Sequence, residues 1–240
     1  MSARLTWLGH STFLLTTAGG KTILIDPWLA GNPKCPATLH EVSCDAILVT
    51  HGHSDHVGDA VSAAKRCGGP VVAIYELANW LQSQGVPGTK VVGMNKGGTT
   101  ALDGLDVTVT MTDARHSSAA IGPDGKITYL GEAAGYVIGM DDGLNLYVAG
   151  DTSLFGDMAL LKELYAPTAA ILPIGDCYTM DPRAAAHACR LLGVRQVVPC
   201  HYGTFPALTG TPERLRAELA ALGLKVEVLA PEPGSAVTVG

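Results

Sequence analysis

The sequence predicts an α+β fold in which strands pair into sheets and helices cover them, and three observations lead there. Hydrophobic residues make up 47% of the 240 residues, enough for a substantial core without covalent staples. The 29 Gly and 14 Pro point to many short elements joined by tight turns. Continuous apolar runs, such as residues 46–50, have the pattern of strands buried on both faces, and they recur between helical segments along the chain. No linker or low-complexity stretch separates the halves, so residues 1–240 are expected to form one domain.

Residues 4–8, 12–16 and 22–26 are short β-rich runs, with Gly19-Gly20 turning the second into the third. The run 46–50 ends directly at His51, and Asp55 stands at the start of a helix expected to reach about Arg66. Residues 70–74 read as a strand, 76–84 as a helix and 90–94 as another strand. In the second half, 105–111 alternates strictly and leads to His116, while 135–140 and 144–149 form a hairpin around Asp141-Asp142-Gly143. A helix over 157–165, a strand over 169–173, a helix over 182–192, a strand over 196–200 and a helix over 212–222 follow. Strands over 225–229 and 236–239 close the chain. Residues 117–132, rich in Gly, Ser and Ala, fit either a lid or an ordinary surface hairpin.

The net charge of -6, with no basic run longer than Lys65-Arg66, argues against nucleic acid or an anionic membrane as a partner. No stretch approaches the ~18 apolar residues needed to span a bilayer, and no apolar export segment follows Met1. Cys35, Cys44, Cys67, Cys177, Cys189 and Cys200 contain no C-x-x-C pair, so neither a zinc knuckle nor a thioredoxin-like site is expected. With this much core and no export signal they read as reduced, in a cytoplasmic protein.

The chemistry concentrates in His51-Gly52-His53-Ser54-Asp55-His56. Three imidazoles and a carboxylate within six residues, at the C-terminal end of a strand, suit zinc, manganese or iron(II). Alternate residues His51 and His53 can face one metal, while Asp55 and His56 on the next turn can face a second. Two coordination shells need more ligands, and three candidates also end strands: His116 in Ala114-Arg115-His116-Ser117-Ser118, Asp151 in Gly150-Asp151-Thr152, and His201 in Pro199-Cys200-His201-Tyr202-Gly203. The carboxyl ends of strands are where α/β sheets build sites.

With these residues in order, the chain resembles the metallo-β-lactamase superfamily: His-x-His-x-Asp-His, a distant His, a Gly-Asp-Thr and a last His, over residues 7 to 203. Within it the chain looks most like the UPF0173 metal-dependent hydrolases, with ascorbate-phosphate lactonases more distant. Trp7-Leu8-Gly9-His10-Ser11, Ile25-Asp26-Pro27, Gly31-Asn32-Pro33, Leu172-Pro173-Ile174-Gly175 and His201-Tyr202-Gly203-Thr204-Phe205-Pro206 carry the resemblance beyond the hexapeptide. It implies a four-layer αββα sandwich with the site in a cleft at one edge of the two sheets. It implies that His51, His53 and His116 hold one ion, that Asp55, His56 and His201 hold a second, and that Asp151 bridges them. Zinc is the first expectation for both ions, with manganese or iron as alternatives. Asp26 would orient the histidine loop from behind, and Thr152 would support it. His10 would sit near the cleft as a donor to substrate or leaving group, or else be satisfied within the fold. Trp28, Asn32, Ser117, Asp176, Tyr178 and Tyr202 are the expected pocket residues. Asp176 departs from the family pattern, where a second Gly is expected after Pro-Ile-Gly. His40 and His187 read as bystanders.

Two divalent ions about 3.5–4 Å apart lower the pKa of a water they share, so hydroxide becomes available near neutral pH. The expected function is hydrolysis of a small ester, lactone or phosphodiester by that hydroxide, with Asp55 accepting a proton. His53 occupies the position that the oxygen-reducing di-iron relatives give to an acidic residue, which favours hydrolysis over redox work. The alternative is a metal-binding sensor or scaffold of the same fold without efficient turnover. The partner is then a small molecule, and the weakly charged, Ala- and Gly-rich surface permits a homo-oligomer.

Overall fold

The computed structural model describes residues 2–240. Three short strands, β1 (Ala3–Trp7), β2 (Phe13–Thr16) and β3 (Thr22–Ile25), run as an antiparallel meander. The strand β4 (Ala46–Leu48) leads to the helices α1 (Ser54–Val57) and α2 (Ala60–Arg66). Then come β5 (Val71–Ile74), α3 (Tyr75–Ser83) and β6 (Val91–Met94). The second half contains β7 (Thr99–Leu102), β8 (Val107–Asp113), a small hairpin of β9 (Ala119–Ile121) and β10 (Ile127–Tyr129), β11 (Ala134–Met140) and β12 (Asn145–Val148). It continues through α4 (Met158–Tyr165), β13 (Ala169–Pro173), α5 (Pro182–Leu192), β14 (Gln196–Cys200) and α6 (Pro212–Ala221). The last strands are β15 (Glu227–Val228) and β16 (Ala236–Val239).

Two seven-stranded mixed sheets result, ordered β16-β1-β2-β3-β4-β5-β6 and β15-β14-β13-β12-β11-β8-β7. Side-chain alternation sorts each strand between layers. Tyr136 and Ile138 of β11 point into the main core, and Val137 between them joins the smaller core beneath α4, α5 and α6. Leu146 and Tyr147 of β12 divide in the same way. The Tyr136 hydroxyl donates to the Val49 carbonyl at 2.8 Å, tying the sheets together beside the strand that ends at His51. Leu77, Ala78 and Leu81 of α3 and the alanines of α2 cover the first sheet. This is the four-layer αββα sandwich.

Two departures from the sequence expectation have local causes. The single helix expected from Asp55 to Arg66 breaks at Gly58-Asp59, because the Asp59 carboxylate accepts the backbone N–H groups of Leu29 and Ala30 at 2.6 and 3.1 Å. Asp59 thereby clamps the loop carrying Trp28. β7 is an added edge strand whose Thr99 and Ala101 are exposed, so it shows little apolar pattern. Residues 117–132, for which a lid or a surface hairpin was expected, contain the β9–β10 hairpin, in register Ala119↔Tyr129 and Ile121↔Ile127.

Candidate metal centre

Four of the seven expected ligands lie just beyond the C-terminal end of a strand, His51 after β4, His116 after β8, Asp151 after β12 and His201 after β14, while His53, Asp55 and His56 stand at the start of α1 and within it. The loops meet because their backbones fit closely. A Cβ on Gly52 would stand 2.5 Å from Leu130 Cδ1, and one on Gly150 would stand 2.8 Å from the Ala134 carbonyl oxygen. Gly150 also has φ +62°, and His10, Asp26 and His201 adopt φ of 54°, 47° and 54°. Such left-handed backbone costs a non-glycine residue roughly 1 kcal/mol or more, so the surrounding hydrogen bonds must hold it.

Two triads face each other across one carboxylate oxygen. His51 Nε2 and His116 Nε2 lie 3.0 and 3.2 Å from His53 Nδ1. On the other side, His201 Nε2 lies 3.8 Å from Asp55 Oδ2. Between them, Asp151 Oδ2 stands 4.0 and 3.7 Å from His51 and His116 Nε2, and 3.3 and 3.0 Å from His56 and His201 Nε2. All of the proposed ligand residues, His51, His53, Asp55, His56, His116, Asp151 and His201, are therefore brought together.

Asp26 lies beneath the triads and sets which nitrogens face inward. Its Oδ1 accepts from Thr50 N at 2.7 Å, and its Oδ2 accepts from the Thr50 hydroxyl at 2.7 Å and from His56 Nδ1 at 2.8 Å. A carboxylate only accepts, so His56 donates from Nδ1 and turns Nε2 toward Asp151. The Thr50 hydroxyl gives its single proton to Asp26. It must then accept from His51 Nδ1, 3.0 Å away, which leaves Nε2 of the neutral His51 ring bare. Thr152, also buried, accepts Arg115 N at 2.9 Å and so fixes the turn before His116.

These residues fit a divalent metal. Nitrogen and oxygen ligands at about 2.0–2.1 Å in a tetrahedron stand about 3.3 Å apart, close to the spacings within the triads. His51 Nε2 and His116 Nε2 converge on His53 Nδ1, and His56 Nε2 and Asp151 Oδ1 are buried without hydrogen-bond partners. Burial pushes the His51, His53 and His116 pKa values down, keeping those rings neutral as ligands must be. For Asp151, burial works against ionisation, but His56 and His201 outweigh it and hold the carboxyl well below its usual range. For His56, burial opposes the charge, but Asp151 and Asp26 prevail and raise its pKa well above the ordinary value. A sealed carboxylate of this kind needs a cation against it.

The expected pocket residues separate. Trp28, Ser117 and Tyr178 line a cavity of about 700 Å³ that opens onto His53, Asp55, His116, Asp151 and His201. Asn32, Asp176 and Tyr202 do not line it. Asn32 is buried and braces a turn, its amide donating to the Gly9 carbonyl at 3.1 Å. Asp176 Oδ1 accepts Cys177 N at 2.8 Å within its own loop. Tyr202 stacks on Trp7 with ring centroids 5.1 Å apart, facing a separate groove. His10 is wholly buried behind Asp55 and is not part of the cavity wall. Its Nε2 donates to Asp55 Oδ2 at 3.0 Å, so Nδ1 accepts from the Thr204 hydroxyl at 2.9 Å. Burial lowers the His10 pKa to about 4 despite Asp55, so the ring is neutral near pH 7. His40 and His187 bond to the Cys35 carbonyl and to Arg190, away from the centre. Phe205 and Pro206 lie in the block His201–Pro206 that carries the family resemblance, but neither they nor Ala207 were expected in the pocket wall. Three apolar residues beyond a ligand-bearing strand end were the available signal.

A αββα sandwich with a His/Asp cluster at its strand ends defines a metal-dependent hydrolase of the β-lactamase type. The family described as "Beta-lactamase superfamily domain" matches residues 21–202, and the chain belongs to this superfamily and, within it, to the UPF0173 metal-dependent hydrolases. It is 51% identical over 232 residues to such a hydrolase of Rubrobacter xylanophilus, covering 96% of this chain and 94% of that protein. Identity to the Herpetosiphon aurantiacus relative is 49% over 239 residues, covering 98% and 97%. The solved structure of Igni18, a metallo hydrolase from the archaeon Ignicoccus hospitalis, superposes with a TM-score of 0.86 at 36% identity, covering 100% of this chain and 99% of that one. No helix among the described residues is long and apolar enough to cross a membrane.

Proposed function

We propose that the chain is a binuclear hydrolase of small esters, lactones or phosphodiesters. His51, His53 and His116 would hold one ion, Asp55, His56 and His201 the other, and Asp151 both. The observation that carries this reading is Asp151 Oδ2, which lies within 4.0 Å of imidazole nitrogens from both triads at once. Five imidazoles and two carboxylates suit zinc, and manganese or iron(II) are accepted by the same donors. Bound divalent ions supply Lewis acidity that lowers the pKa of water and polarises a carbonyl or phosphoryl group.

The chain's own residues orient and enclose that chemistry. Asp26 and Thr50 keep His51 and His56 in the tautomers that present Nε2 inward. His53, His116 and Asp55 face the cavity, where the reacting carbon or phosphorus would be presented. Burial works to raise the Asp55 carboxyl, but the His10 hydrogen bond and the neighbouring His56 outweigh it and hold the group well below its usual range. Asp55 is thus a better ligand and hydrogen-bond acceptor than proton store. Trp28 and Phe205, with ring centroids 5.9 Å apart, form an apolar wall that excludes water on one side. The six free cysteines agree with a reducing cytoplasmic setting, and the chain acts as one unit because its ligands come from both halves.

Protein loaded with zinc, analysed for metal and assayed on bis(p-nitrophenyl) phosphate, a lactone and p-nitrophenyl acetate tests this. Turnover with about two ions per chain is expected, and His51→Ala should lose both activity and metal. A His51→Ala protein that kept both would falsify the reading. Full occupancy without turnover on any substrate would make the chain a metal sensor instead.

A further inference from the structure

The surface around the centre has two lobes, not one. The first is the cavity of about 700 Å³ walled by Trp28, Phe205, Pro206 and Ala207. A second cavity, of about 540 Å³, begins on the far side of His53-Ser54-Asp55, and those three residues line both. Its walls come from three separate elements: Val61 of α2, Trp80 of α3, and Ala119 to Ile121 of β9. Beyond the shared segment, its single polar side chain is Gln84. Ile121 lies at its rim with 73% of its surface exposed, an apolar side chain placed where an apolar ligand would cover it.

Charge narrows the occupant further. Neither lobe has a Lys or Arg among its lining residues. A phosphate monoester or nucleotide is normally clamped by such cations in addition to metal. Here it would find none, whereas an uncharged substrate needs none.

We propose that the two lobes form one cleft with the metal-ligand segment at its waist, and that the substrate is an uncharged ester bearing an apolar group on each side of the scissile bond. In the reaction the oxygen of water bonds to the acyl carbon and the ester C–O bond breaks. The alcohol leaves with one proton of that water, and the acid product releases the other. This inference rests on the hydrolase reading and specifies its substrate class. Val61, Trp80 and Ile121 select for the apolar arm in the second lobe.

The test uses zinc-loaded protein with p-nitrophenyl acetate, butyrate and hexanoate, together with binding of N-butylhexanamide, an uncharged two-armed analogue, followed by tryptophan fluorescence. A buried CH₂ is worth up to about fourfold, so kcat/KM should rise at least about tenfold from acetate to hexanoate. Val61→Phe, which fills the second lobe, should reduce that ratio to below about threefold and weaken amide binding at least about fivefold. Trp80→Ala, which removes a wall, should lower the ratio about threefold. It decides the matter if Val61→Phe does not fold. Measurable hydrolysis with a flat chain-length series, or a series that neither variant changes, overturns the two-lobed cleft and leaves the hydrolase reading standing. No hydrolysis of any ester at full zinc occupancy overturns both.

Discussion

His51, His53 and His116 on one side of Asp151, and Asp55, His56 and His201 on the other, differ less in ligand chemistry than in what holds them. In the second triad His56 is pinned by Asp26 at 2.8 Å, Asp55 is pinned by His10 at 3.0 Å, and the His56 and His201 rings are sealed from solvent. In the first triad His51 is braced only through Thr50, and His53 and His116 are half-buried. The outer nitrogen of His53 has just a 3.4 Å contact to the exposed Ser117 hydroxyl. Preorganised ligands lose less freedom when they bind, so the second triad should be the tighter site. Both triads open onto the cavity, the first through His53 and His116 and the second through Asp55 and His201.

Asp151→Asn tests the junction itself and should have the largest effect. It keeps the shape and removes the charge common to both triads, so activity should fall at least about a thousandfold, or ~4 kcal/mol of transition-state stabilisation. Metal analysis should show both ions lost or weakened together. An Asp151→Asn protein with one ion at undiminished affinity would show that the carboxylate serves one triad only.

Asp26→Asn tests the asymmetry. Its amide group would turn two donors toward a site where Thr50 and His56 already donate, so at least one buried pairing must fail. Calorimetric zinc titration should show about a 10–100-fold loss at the tighter site and a smaller loss at the weaker one. The metal-free protein should also lose about 1–3 kcal/mol in thermal or urea unfolding. Equal weakening of both sites would mean that the path through Thr50 to His51 matters as much as the direct bond to His56.

How much of this was legible in the sequence depended on how local the cause was. The apolar runs of β4, β13 and β14 declare themselves, and the ligands follow directly at their ends. Asp26 also lies beneath the histidine loop, as the family resemblance implied. The break between α1 and α2 was not legible, because Asp59 serves backbone groups of Leu29 and Ala30 roughly thirty residues away. Nor could Asn32 be told from a pocket residue, since its partners are carbonyls of a distant turn. β7 hides because an exposed, Thr-containing edge strand needs no alternation. The wall at Phe205 to Ala207 was hidden for a different reason: apolar loop residues acquire a role only when another loop, here the one bearing Trp28, folds against them.

The smallest effect expected is at His10, and it bears on whether the second triad is braced from behind. The sequence left His10 open as a donor to substrate, but a ring buried behind Asp55 has no route to a ligand in the cavity. It is a positioning residue, neutral near pH 7, which holds Asp55 by a single N–H while Thr204 holds it in turn. His10→Phe keeps an aromatic ring among Trp28, His201 and Phe205 but removes that donor. Zinc affinity at the tighter site should fall about tenfold, as for other residues that orient a ligand. His10→Gln, whose amide can donate from a similar reach, should recover most of the loss. The pH profile of kcat should keep its shape in both variants, because no proton passes through His10. Loss of a limb from that profile in His10→Phe, with zinc affinity intact, would instead make His10 a proton donor in the reaction.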